Sequence, residues 1–166
     1  MNTITFHTQI PSPIGPLQLI GDGTALQGLY MHPYNPPEDW RETSEPFATA
    51  IAQLDQYFAG ERTEFDLNLD MRGTQFQKDV WNALLTIPYG ETRSYGDIAK
   101  QIGRPDRARA VGAANGSNPI SIIVPCHRVV GSTGKLTGYA GGLDVKRRLL
   151  DHERGVSSWD GVPHSR

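Results

Sequence analysis

Apolar and polar positions alternate along the first 31 residues in short runs separated by the turn-forming stretches SPIGPL and GDGT. A period of two predicts strands, here over 3–9, 16–20 and 25–31, and strands joined by tight turns predict an antiparallel sheet. HPYNPPEDW is rich in proline and turn residues and reads as a loop. From Pro46 to Ala59 the period changes. Phe47, Ile51, Leu54 and Phe58 fall at helical spacing, Gly60 stops the run, and one such helix can cover one face of the sheet. EFDLNLD, residues 64–70, alternates again and reads as a further strand or an extended connector.

After Gly73 the pattern turns helical. Thr74 and Gln77 have the spacing of a capping box, and Phe76, Val80, Leu84 and Ile87 continue the apolar stripe to a stop at Pro88. Ser94 and Asp97 offer a second cap ahead of Ile98, Ala99 and Ile102, and Gly103-Arg104-Pro105 breaks the run. A third helix, opened by Asp106, extends to about Asn115. Two short helices across a tight glycine-containing turn form a helix-turn-helix candidate, a hairpin also common in proteins that never touch DNA. Ser121 to Val124 leads into Pro125, whose predecessor is biased to extended geometry. A glycine-rich loop, 131–142, and a basic-faced helix from Asp144 to Glu153 follow. The pattern is that of an α+β chain: a small antiparallel sheet with a covering helix over 1–70, a mostly helical domain over 71–155, and a tail over 156–166.

Charge sharpens this division. Residues 1–70 carry two basic and ten acidic side chains, a net −8, while 71–166 carry fourteen basic and eight acidic, a net +6. A basic half suggests a polyanionic partner, with ordinary solvated charge as the alternative. ARAVGAANG, 108–116, is nearly empty of the bidentate side chains that read base edges in the major groove. Such a slim helix, carrying Arg109 among Ala108, Ala110, Gly112 and Ala113, suits either a narrow minor groove or close packing against another helix. No apolar run approaches the roughly 20 residues that span a bilayer and the start lacks a secretion pattern, so the expected place is the cytoplasm, away from membranes.

The chain's single cysteine, Cys126, excludes an internal disulfide and a cysteine-based zinc site. It is either an inert core residue or a reactive thiol. Reactivity needs a partner that takes the proton or stabilises the thiolate. His127 is adjacent, but neighbours on a strand point to opposite faces, so contact requires a turn or a bridging water. A carboxylate should then orient the imidazole; Glu153 is one candidate, and Asn118 can hold the backbone nearby.

PCHRV, Pro125 to Val129, resembles the active-site signature of the bacterial-type O6-alkylguanine-DNA alkyltransferases, direct-reversal DNA repair proteins. The order of IPYGETRSYG, ARAVG, NPI, GKLTGY and LLDHE around it resembles that family from Phe76 to Glu153. The resemblance implies an RNase H-like N-terminal domain and a winged-helix-like C-terminal one. It implies irreversible alkyl transfer from O6-alkylguanine in duplex DNA to Cys126, once per molecule, with base flipping and no cofactor. His127 would relay the thiol proton through a water, Glu153 would orient the imidazole, and Asn118 would bond within the turn. Arg109 would fill the vacated base stack within a DNA-binding helix, and Tyr95 would help rotate the phosphate and donate to guanine. Tyr139, Val129, Pro125, Ser121 and Gly138 would form the pocket. No obligate protein partner is implied, and cooperative assembly on DNA is left open.

The zinc site of the family's human member has no counterpart cysteines here, so no metal is expected, and His7 and His32 read as surface residues. Ser121 is small where some relatives have proline, and Arg107 is either a phosphate contact or solvated. A damage sensor without an acceptor is disfavoured by the presence of Cys126. A DNA-binding regulator is disfavoured by the emptiness of 108–116, and a thiol hydrolase would turn over rather than titrate.

Overall fold

The computed structural model describes residues 3–31, 34–156 and 159. His32 lies outside these residues. The chain separates into two compact units, Met1–Met71 with Trp159–Arg166, and Arg72–Ser158.

In the first unit, strands β1 (Phe6–Ile10), β2 (Leu17–Gly21) and β3 (Leu26–Tyr30) pair antiparallel as expected. A two-residue strand, β4 (Arg41–Glu42), adds to β1 in parallel, so the sheet is mixed, in the order β3-β2-β1-β4. β2 is buried at every position, which marks a central strand covered on both faces. His7 is therefore not a surface residue: it is buried on β1, where Gln18 Nε2 donates to its Nδ1 at 3.3 Å and Trp40 tilts against its ring. Helix α1 (Ala48–Phe58) follows a 3-10 turn at Glu45–Phe47 and buries Ala50, Leu54, Tyr57 and Phe58, leaving Ile51 only partly covered. Residues 64–70 form a connector with a single bridge, Leu26 to Leu69, rather than a strand. Gln53 holds it, donating to the Asp66 carbonyl at 3.0 Å and accepting from the Asp66 N–H at 2.9 Å, as a strand neighbour would. The stretch read as a tail supplies Trp159, which is buried, packs edge-on against Phe58 and donates to its carbonyl at 2.9 Å.

In the second unit both capping boxes form. Thr74 and Gln77 exchange bonds of 3.1 and 2.9 Å at the start of α2 (Gln75–Leu84), and Ser94 and Asp97 exchange bonds of 3.0 and 2.9 Å at the start of α3 (Tyr95–Gln101). α2 stops at Leu84, earlier than the apolar stripe suggested, and Ile87 is buried from a turn. Asp106 does not open the next helix: the Arg107 N–H closes a turn on the Arg104 carbonyl at 2.9 Å, and α4 runs Ala108–Gly116. Pro105 sits at the second position of that turn, where its fixed φ belongs. Trp81 ties α2 to α4 by donating to the Ala114 carbonyl at 2.8 Å. A short parallel ladder joins β5 (Arg93–Ser94) to β6 (Val129–Val130), which fixes the start of α3 beside the end of the PCHRV segment. Helix α5 (Leu143–Glu153) completes the unit.

Candidate active site

The approach to Cys126 is bent, not extended. The Asn118 side chain accepts from the Ile120 N–H at 3.0 Å and donates to the Val124 carbonyl at 2.7 Å, so one amide closes the loop between them. Within it Ile122, buried, holds φ at 71°, a conformation that costs a β-branched residue on the order of 1–3 kcal/mol. Side-chain and turn bonds within the loop override the preference of the residues before Pro125. Cys126–Arg128 then form a 3-10 turn, so the two neighbours are not held on opposite faces of a strand.

His127 is fully buried, and its Nε2 lies 2.7 Å from Glu153 Oε2. Arg128 grips the same carboxylate from its own turn, Nε donating to Oε1 at 2.7 Å and Nη2 to Oε2 at 3.1 Å, while Nη1 donates to the Ile87 carbonyl at 2.7 Å. Burial by itself would raise the Glu153 carboxyl, but its interactions with His127 and Arg128 outweigh it and hold the group well below the usual carboxylate range. Glu153 is thus an acceptor only, which assigns the proton between it and His127 to Nε2. Burial pushes the imidazole down more strongly than Glu153 lifts it, so His127 rests neutral. Its Nδ1 is buried with no hydrogen-bond partner among the described residues.

Cys126 is buried as well, and burial pushes its thiol up; the Asn118 amide, the Lys146 charge, its own N–H and Ser121 act in the opposite direction. The sulfur therefore rests protonated, and a nucleophilic thiolate must be made at the moment of reaction. Lys146 is fully buried on α5, donates to the Thr137 carbonyl at 3.2 Å and is lowered by that burial, partly offset by the sulfur. Tyr139 keeps a buried hydroxyl with no hydrogen-bond partner among the described residues, and burial beside Cys126 and Glu153 raises it well above the ordinary phenol. Asn115 brings its amide to the Cys126 carbonyl at 3.4 Å. Pro125, Ser121 and Val129 are buried around the turn, while Gly138 is exposed on the glycine-rich loop.

Tyr95, at the first position of α3, shares a short hydrogen bond with the Thr137 hydroxyl. α4 buries Val111, Ala114 and Asn115 and turns Arg109, Ala113 and Gly116 outward, with Ala108, Ala110 and Gly112 at its margins. A side chain at Gly116 would meet nothing within 4 Å. Its smallness therefore serves no internal contact, and the slim face is presented outward. Arg107 is exposed, and its guanidinium lies over the Phe76 ring, 5.3 Å from the centroid, which links the start of α4 to α2.

Sequence reasoning missed Lys146, Arg128 and Asn115. Lys146 stood in the basic run Lys146-Arg147-Arg148, which reads as surface charge, and Arg128 stood inside the PCHRV signature with no role given to it; no local signal marks a lysine for burial. Only the packing of α5 against the Cys126 turn does so.

A protonated thiol, a neutral imidazole with one bare nitrogen and a small-residue helix facing outward define a thiol acceptor for a substrate delivered to the surface. Residues 75–155 match the family described as 6-O-methylguanine DNA methyltransferase, DNA binding domain, and residues 5–71 match its ribonuclease-like domain. The chain belongs to the 6-O-methylguanine DNA methyltransferase family. It is 62% identical over 151 residues to the methylated-DNA--protein-cysteine methyltransferase of Mycobacterium tuberculosis H37Rv, covering 89% of this chain and 92% of that one. It is 54% identical to the protein of that name from Methanosarcina acetivorans, covering 89% and 97%. The crystal structure of Mycobacterium tuberculosis OGT in complex with DNA superposes with a TM-score of 0.88 at 58% identity, covering 92% of this chain and 95% of that one.

Proposed function

We propose that this protein repairs DNA by moving the alkyl group of O6-alkylguanine onto Sγ of Cys126. The observation that carries the reading is the buried Cys126-His127-Glu153 arrangement, in which Nδ1 is the one bare proton acceptor on the imidazole. The damaged base must leave the duplex to reach it, at a cost of roughly a few kcal/mol that poor pairing reduces. Arg109, outward on the slim helix, fills the gap in the stack.

In the pocket walled by Tyr139, Val129, Pro125, Ser121 and Gly138, the Cys126 proton passes through a water to His127 Nδ1. The thiolate forms the S–C bond in line with the breaking C–O6 bond. The bonding pair leaves with guanine, which then takes up a proton. Tyr95 donates to the base as its charge develops, the role of a preorganised donor in a dry site, and it exchanges Thr137 for that partner. Glu153 steadies the imidazolium and Asn118 holds the turn. The thioether product has no leaving group for water to displace, so each molecule acts once. The reaction needs a reduced thiol, which fits the cytoplasm.

Incubation with a duplex carrying O6-methylguanine, followed by intact-mass and peptide analysis, tests this. The expected result is one added methyl per chain, on the Cys126 peptide, with no second turnover. A methyl elsewhere, or none, refutes the assignment.

A further inference from the structure

We infer that Arg128, which has no step in the reaction above, is a positioning residue that keeps His127 Nδ1 free of a proton in the resting protein. The inference rests on the proposed function and deepens it. A buried imidazole bonded to a lone buried carboxylate forms an ion pair readily. Such a pair would carry a proton on both ring nitrogens and could not take one from the thiol. Here the carboxylate is already matched: Arg128 donates to both oxygens, at 2.7 and 3.1 Å, from a side chain only 8% exposed. Arg128 matches the charge of Glu153, and His127 completes the carboxylate's bonds as a neutral donor through Nε2.

The other groups around His127 act in the same sense. Its own turn contributes Cys126 and Arg128, and the buried side of α5 contributes Glu153 and Lys146, whose charge also disfavours an imidazolium. Tyr139 enters from the loop before α5, its hydroxyl held neutral. Tyr89 lies against the Arg128 guanidinium, 5.8 Å from centroid to carbon, and burial raises it, so it too carries no charge. The buried side of α2 contributes only Val80, Trp81, Ala83 and Leu84. Of all these groups, only Glu153 favours a second proton on His127, and Arg128 is the group bonded to it.

The test is nitrogen NMR of the ring-labelled full chain without DNA, across acid to neutral pH, with the pH profile of methyl transfer as a second readout. In the wild type Nδ1 should be unprotonated and Nε2 protonated at neutral pH; a protonated Nδ1 there overturns the inference and needs no variant. In Arg128→Met the midpoint for protonating Nδ1 should rise by about one pH unit, a roughly tenfold gain in proton affinity, and the acid limb of the transfer rate should move with it. Arg128→Lys, which keeps the charge, should hold the midpoint near the wild-type value even if the methionine variant does not fold. An unmoved midpoint in folded Arg128→Met, or a lysine variant whose midpoint rises like that of methionine, overturns the inference. Because the NMR arm contains no DNA, its failure leaves methylation of Cys126 untouched, and failure of methylation leaves the NMR result standing.

Discussion

Glu153→Gln isolates what the buried carboxylate does while conserving shape. In the wild type Glu153 is bonded to His127 at 2.7 Å and to Arg128 at 2.7 and 3.1 Å, with its own side chain fully buried. The amide keeps a partner for one bond but leaves the Arg128 charge unmatched in a dry site. Removing one member of a buried pair costs about 3–5 kcal/mol, a large share of the roughly 5–15 kcal/mol that holds a domain folded. At about 2–4 °C per kcal/mol for a chain of this size, thermal unfolding should drop by roughly 6–20 °C. The pH dependence gives a second handle. Glu153 and His127 are both lowered on folding, so each binds more protons unfolded than folded and each contributes stability at higher pH. The His127 share should be lost as pH falls below about 6.5, and the Glu153 share as it falls below about 4.3. Calorimetry across that range should show the wild type losing stability in both windows. Glu153→Gln should lose less in the lower one, where Asp22 and Asp97, also lowered on folding, still contribute. A loss under about 1 kcal/mol at neutral pH, or an unchanged acid slope below pH 4, would refute the reading of Glu153 as an ionised, charge-matched anchor.

Arg109→Ala should slow repair of duplex far more than transfer from the free alkylated base, since the side chain is exposed on α4 away from the buried thiol; equal losses in paired rate measurements would remove its stack-filling role. Binding to undamaged duplex should weaken as salt rises, with log K falling by about 0.9 per phosphate neutralised for each tenfold rise in salt, and a flat titration would contradict a basic DNA-facing half. Trp159→Ala should destabilise the first unit by about 3–5 kcal/mol in denaturant titration, because it empties a buried site against Phe58 and loses the bond to the Phe58 carbonyl; a change below about 1 kcal/mol would mean the contact is incidental.

Local chemistry alone determined much of this protein. The Thr74/Gln77 and Ser94/Asp97 capping boxes are legible because each is a contact between residues three apart, and the strands β1 to β3 are legible because the turn-forming stretches SPIGPL and GDGT bound them. The needs of a reactive thiol pointed to His127, Glu153 and Asn118 as candidate partners of Cys126, and the resemblance gave each a role. Tertiary structure decided what depends on residues far apart in the chain. Glu153 reaches His127 and Arg128 from another helix, β4 joins β1 in parallel from more than thirty residues away, and Trp159 packs on Phe58. The protonation of the site is the clearest case. Whether the sulfur and imidazole rest neutral is set by burial together with charges that α5 and the Cys126 turn bring within bonding distance, and neither quantity is written in any stretch of contiguous residues.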